Sequence, residues 1–166
     1  AHTASWARAF PKANLLAKCP KHVQQASTAH GGGSINVVAL NPASNSTFTL
    51  LEAVLGTIAD IFPCKYLHVG GDEVNFECWE EDAGVHAWMR SHGYQRRDAL
   101  QAFEDRGMAI LGRRNRTAIV WQGTPDEGVQ LPKSKAGLLG TAIVEPWKAW
   151  AGLSRRAMQQ ALSQGH

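Results

Sequence analysis

The sequence predicts an α/β fold, a parallel sheet with helices packed outside it. Three observations carry that prediction. Short apolar runs of strand length recur at Tyr66–Val69, Ala118–Trp121 and Thr141–Glu145. Stretches with helical periodicity lie before, between and after them. The order is helix, strand, helices, strand, strand, helix, and strands alternating with helices are how a parallel sheet is threaded.

The first helix is predicted over residues 47–62, where Phe48, Leu51, Leu55, Ile58 and Phe62 recur at steps of three and four. Asn45 and Ser46 are its candidate caps, and Pro63 stops it. The run from Tyr66 ends at Gly70-Gly71, a strand entering a turn. A helix over about 80–92 is stopped by Gly93, and a second covers about 97–113, with Leu100, Phe103, Ile110 and Leu111 on one side. The second strand follows. Residues 123–132 are rich in turn formers, the third strand ends at Pro146-Trp147, and a last helix is expected over about 154–164. Residues 7–46 read as irregular, a length of loop that is usually functional or mobile.

Composition bounds the function classes. The chain has 166 residues, 44% hydrophobic and 19% charged, which is enough to bury a core and is not a disordered composition. A net charge of +3 is too small to imply nucleic acid. The basic pairs Arg96-Arg97, Arg113-Arg114 and Arg155-Arg156 are scattered, without interleaved stacking aromatics, and read as solvated helix faces. No apolar run approaches the roughly 20 residues that span a bilayer. Three cysteines, Cys19, Cys64 and Cys78, form no CxxC pair, so no structural zinc site is implied. Sequons stand at Asn45 and Asn115. Two sequons and an available cysteine pair lean towards a secretory compartment.

The strand ends carry the chemistry: His68 to Glu73, Trp121-Gln122, and Glu145 to Trp147. In α/β architectures ligands meet the carboxyl ends of the strands. Asp72 and Glu73 are adjacent carboxylates, and neighbours in a regular strand face opposite ways. Gly70-Gly71 can break that regularity and turn both towards one pocket. There their mutual repulsion keeps one of them protonated, the state a general acid needs. On charge pairing alone the simpler reading is a turn, with Asp72 capping the next segment and Glu73 solvated.

The full string reverses that preference. His68-Val69-Gly70-Gly71-Asp72-Glu73-Val74, followed by Cys78-Trp79, resembles the signature of the family 20 glycoside hydrolases, the β-N-acetylhexosaminidases. His2-Thr3-Ala4-Ser5-Trp6 is similar to the family's Gly-His-Thr-x-Ser-Trp segment. Residues 41–63 resemble the helix before its catalytic strand, and 119–122 and 143–147 its next two strands. The resemblance runs through nearly the whole chain in order.

What the resemblance implies is a (β/α)₈ barrel, of which residues 1–166 are the central part, about strands three to six with their helices, incomplete at both ends. The family removes terminal N-acetylglucosamine or N-acetylgalactosamine with retention, using the substrate's own acetamido oxygen as nucleophile. By that match Glu73 is the general acid and then the base, and Asp72 holds the acetamido nitrogen. Trp121 and Trp147 match tryptophans that enclose the acetamido methyl and the sugar ring; core packing is the alternative for each. His2 and His68 match histidines that support the acidic pair. Cys19 and Cys78 match a disulfide of animal members, the alternative being three reduced thiols, and Cys64 is expected to be a buried thiol. No metal or organic cofactor is implied. The implied partners are N-acetylhexosaminide glycans, with no nucleic acid, and a homodimer of the full enzyme is compatible with the family. The implied compartment is lysosomal, vacuolar or secreted.

The chain departs from the family in places. Gly123 follows Gln122 where many members carry a carboxylate, Ala1 stands at a usual Gly, and residues 21–38 have no counterpart. The family's early arginine and its late tyrosine, tryptophan and glutamate are not in the chain, and an open sheet slice leaves two unpaired edges. The 166 residues alone are therefore expected to be unstable or inactive. The main rival is a catalytically silent, sugar-binding relative. A second, an acyl hydrolase suggested by His30-Gly31-Gly32-Gly33, lacks the G-x-S-x-G elbow it needs, and no phosphate-binding loop occurs.

Overall fold

The computed structural model describes residues 6, 9–21, 38–72, 74–121 and 142–147, with 155, 159, 162 and 163. In chain order its elements are α1 (Asn45–Ile61), β1 (Tyr66–Gly70), α2 (Phe76–Glu81), α3 (Ala83–Ser91), α4 (Arg96–Arg113), β2 (Thr117–Trp121) and β3 (Ile143–Glu145). The helix expected over 154–164 lies largely outside the described residues, of which Arg155, Gln159, Leu162 and Ser163 are helical. The segment 21–38 and the His30 to Gly33 run also lie outside, apart from Lys21 and Val38. The chain divides into two compact units, Ala1–Leu50 with Glu73–Ala99, and Leu51–Asp72 with Leu100–His166.

In the first unit, two stretches pair antiparallel through a bridge between Leu16 and Leu40. Ala17 N–H donates to Ala39 C=O at 3.0 Å and Asn41 N–H to Leu15 C=O at 2.8 Å. Trp79, buried on α2, reaches this ribbon with its indole N–H, 2.9 Å from Leu40 C=O. A buried indole needs such an acceptor, and here it fixes the ribbon to the helix. The Cys19–Cys78 disulfide adds a covalent tie between the same two parts.

The single helix expected over about 80–92 is two helices, and Asp82 is the reason. Asn75 caps α2, its side chain accepting from Cys78 N–H. Asp82 then ends α2 in extended geometry and starts α3, its Oδ1 accepting from Gly84 N–H at 2.8 Å and Val85 N–H at 3.0 Å. Its other oxygen accepts from Lys18 N–H at 2.6 Å. A carboxylate taking three backbone donors outcompetes continued helix. Periodicity alone does not register such a break.

In the second unit, β1, β2 and β3 form a three-stranded, all-parallel sheet in that order. Parallel pairing forces a crossover, and α2, α3 and α4 occupy the one between β1 and β2. Val120 is fully buried at the sheet centre, and Leu67 and Ala118 are buried beside it in register. The end of α4 is tied to α1 by three arginines: Arg113 to Glu52, Arg114 to Asp60, and Arg116 to Ala59 C=O at 2.8 Å. The last satisfies a carbonyl near the helix C-terminus.

Two expectations are corrected here. Phe62 falls outside α1 and is exposed, because a residue before proline is driven from helical geometry. Cys64 is an exposed thiol, not a buried one, since it lies in the exposed link between α1 and β1.

Glu104 is buried within α4, and burial pushes its carboxyl up to about 7, with the Asp105 charge acting in the same sense. The unfolded chain loses that proton near 4.5, so the native state holds it through a window where the unfolded state does not. The protonated group favours the fold below about 4.5, and that advantage is lost as pH rises towards about 7, about 3 kcal/mol in all. Glu104→Gln should therefore match the parent near pH 4.5 and exceed its stability by up to that amount above pH 7. Urea unfolding of both proteins at the two pH values checks this, and a pH-independent difference would refute it.

Candidate functional site

The three parallel strands bring His68, Trp121 and Glu145 to one end of the sheet. Trp121 and Glu145 are register partners and the last residues of β2 and β3. The imidazole of His68 packs against the Trp121 indole, with ring centroids 4.4 Å apart at 57°. Its Nε2 lies 3.3 Å from Glu145 Oε2. Its Nδ1 accepts a hydrogen bond from Gly70 N–H at 3.1 Å. One ring thus touches the end of each strand, and its side chain is about a third exposed.

The departure of β1 from the sheet follows from its glycines. The β1–β2 register slips between His68 and Gly70, and Gly70 and Gly71 take φ of +80° and +92°. Both values lie where side-chain-bearing residues are strained. The half-buried Asp72 follows directly, at the carboxyl end of β1. A Cβ at Gly70 would meet nothing within 4 Å, so a substitution there tests the backbone alone. Gly70→Ala should lose about 1–2 kcal/mol of unfolding free energy in urea; unchanged stability would mean that the turn does not require its positive φ.

Asp72, Trp121 and Trp147 lie at or just beyond strand carboxyl ends, with Trp147 two residues past β3 and exposed, and His68 is the middle residue of β1. Glu73 and His2 lie outside the described residues. Cys19 and Cys78 form a disulfide. Asn45 is exposed in the first turn of α1, inside the helix and not ahead of it, and Asn115 is exposed at a turn with φ of +54°. Among the described residues no three His, Cys, Asp or Glu side chains cluster as a metal site. None of their helices is long and apolar enough to cross a membrane. Glu145 is legible in the sequence as a polar residue at a strand end, but its contact with His68 is not, because parallel register is not written locally.

Comparison with known proteins adds the family. The sequence model described as Glycosyl hydrolase family 20, catalytic domain, matches residues 1–166. Beta-hexosaminidase subunit A2 of Dictyostelium discoideum is 35% identical over 146 residues, 88% of this chain and 24% of that protein. Beta-hexosaminidase subunit beta of Homo sapiens is 34% identical over 111 residues, 66% of this chain and 19% of that protein. The chain thus spans about a quarter or less of the curated relatives it matches. The crystal structure of beta-N-acetylhexosaminidase from Bacteroides fragilis shares the fold, with a TM-score of 0.70 at 19% identity over 99% of this chain and 29% of that one. With the family model matched from end to end, and a Gly70-Gly71 turn leaving β1 into Asp72, the chain belongs to glycosyl hydrolase family 20, within its catalytic domain.

Proposed function

We propose that the protein carrying this chain is a β-N-acetylhexosaminidase that hydrolyses terminal, non-reducing N-acetylhexosamine residues with retention. We further propose that the three strands and their helices are the central part of a (β/α)₈ barrel. The observation that carries the reading is the Gly70-Gly71 turn leading into Asp72 at the carboxyl end of a parallel strand, with Glu73 next in the sequence and Trp121 ending the neighbouring strand. It is supported by the names of the relatives, which are beta-hexosaminidases, and by a Vibrio harveyi relative described as in complex with N-acetylglucosamine.

In this reading Glu73 donates its proton to the glycosidic oxygen as the bond from that oxygen to the anomeric carbon breaks. The acetamido carbonyl oxygen forms a bond to the same carbon from the other face, giving an oxazolinium ion. Asp72 accepts from the acetamido N–H, orients the carbonyl and stabilises the positive charge that develops. Water then attacks the anomeric carbon, the oxazolinium bond breaks, and the water proton passes to Glu73. Trp121 and Trp147 wall the acetamido methyl and the sugar ring, and His2 and His68 support the acidic pair. Glycans on Asn45 and Asn115 and a lysosomal, vacuolar or secreted location belong to the same proposal.

The test is release of nitrophenol from the N-acetylglucosaminide and N-acetylgalactosaminide by the full-length gene product. Turnover of either is expected. A folded protein that binds N-acetylglucosamine and cleaves neither would overturn the reading in favour of a silent sugar-binding relative.

A further inference from the structure

Glu145 has no role in the proposed chemistry, yet its carboxylate meets a side chain that touches the turn before Asp72. Gly70 N–H donates to Nδ1 of His68, so Nδ1 carries no proton and the ring proton sits on Nε2. That is the nitrogen 3.3 Å from Glu145 Oε2. A carboxylate facing Nε2 favours this tautomer, since Nε2–H points at an acceptor and Nδ1 stays open to Gly70. The opposite tautomer would set Nδ1–H against Gly70 N–H, donor to donor, and a bare Nε2 against a negative carboxylate. The Trp121 ring, 4.4 Å from the imidazole, limits the ways the histidine can tilt to escape this.

We infer that Glu145 is a positioning residue. Its carboxylate fixes the His68 tautomer, and His68 through Nδ1 holds the Gly70–Gly71 turn that presents Asp72. The turn needs such a hold, because the ladder to β2 slips between His68 and Gly70 and both glycines take positive φ. The side chain of a residue within the strand thus adds a hydrogen bond at the point where the ladder slips. The kinetic part of the inference rests on the hexosaminidase reading, and the structural part does not.

The test uses the full-length protein with 15N-labelled histidine, the His68 signals assigned by their loss in His68→Gln. The parent should show the Nε2–H tautomer, and Glu145→Ala should lose that preference and expose the Gly70 amide to faster hydrogen exchange. Glu145→Gln, which still offers an acceptor oxygen, should keep both. In turnover of the nitrophenyl N-acetylhexosaminide, Glu145→Ala should lower kcat roughly 10- to 100-fold through misplacement of the acetamido contact, with KM little changed. Glu145→Gln should restore most of it, and Glu145→Ala should cost nothing further in a His68→Ala background. An Nδ1–H tautomer in the parent, an effect on KM alone, or additive losses in the double variant would each overturn the inference. A parent that turns over neither sugar sinks the hexosaminidase reading instead, and the tautomer and amide exchange still decide the role of Glu145.

Discussion

Glu73→Gln is expected to cut kcat on nitrophenyl N-acetylglucosaminide by roughly 10²–10⁴-fold, the usual worth of a positioned general acid and base. Glutamine keeps the size of the side chain and its hydrogen bonding but has no proton to give. Nitrophenolate is a good leaving group, so the first step with this substrate asks little of the acid. The second step, attack of water on the oxazolinium, still asks for a base. An unactivated disaccharide asks for both, and its loss should therefore be the larger of the two. Comparing the variant with its parent on both substrates checks the role as well as the residue. Undiminished turnover in Glu73→Gln would remove Glu73 from the chemistry, and equal losses on the two substrates would leave it as base only.

Cys78→Ser is expected to cost about 4 kcal/mol of unfolding free energy. The bridge joins residues 59 apart, and closing a loop of that length removes about this much from the unfolded state in the chain-entropy model. It also ties Cys19 to α2, three residues after the cap Asn75. The neighbouring bonds, Lys18 N–H to Asp82 and Lys21 N–H to Glu81, join equally distant parts of the chain but are not covalent, so they leave the unfolded chain unconstrained. Denaturant unfolding with and without reductant gives the check. Reductant should destabilise the parent by about as much as the substitution does and leave Cys78→Ser unchanged. Cys19→Ser should match it, with no further loss in the double variant. A parent indifferent to reductant would mean the bridge contributes nothing to stability.

The parts of this fold legible in the sequence were those written in local pattern. Tyr66–Gly70 and Thr117–Trp121 are strands within a residue or so of expectation, because short apolar runs bounded by turn formers have few other uses. The third strand is Ile143–Glu145, shorter at its start than the run suggested. The ends that failed did so through single residues: Asp82 splits a helix by accepting from three amides, and Phe62 leaves one because Pro63 follows it. Cys64 runs against its residue type, which favours burial, because the link that carries it is exposed. At the site, His68, Asp72, Trp121 and Trp147 were readable as strand-end residues. The His68 to Glu145 contact was not, since it depends on the order of three strands and the slip between His68 and Gly70. Long-range register of that kind has no local sequence signature.

The exposed thiol of Cys64 has a practical consequence. With Cys19 and Cys78 joined, it is the remaining one of the chain's three cysteines. It precedes β1 at the amino end of the sheet, so the length of the strand separates it from the Gly70–Gly71 turn. A maleimide dye or a gold surface would take hold there without reduction of the bridge, leaving the Gly70–Gly71 turn at the far end of β1 from the attachment point. The fold thus provides its own handle at the end of β1 opposite that turn.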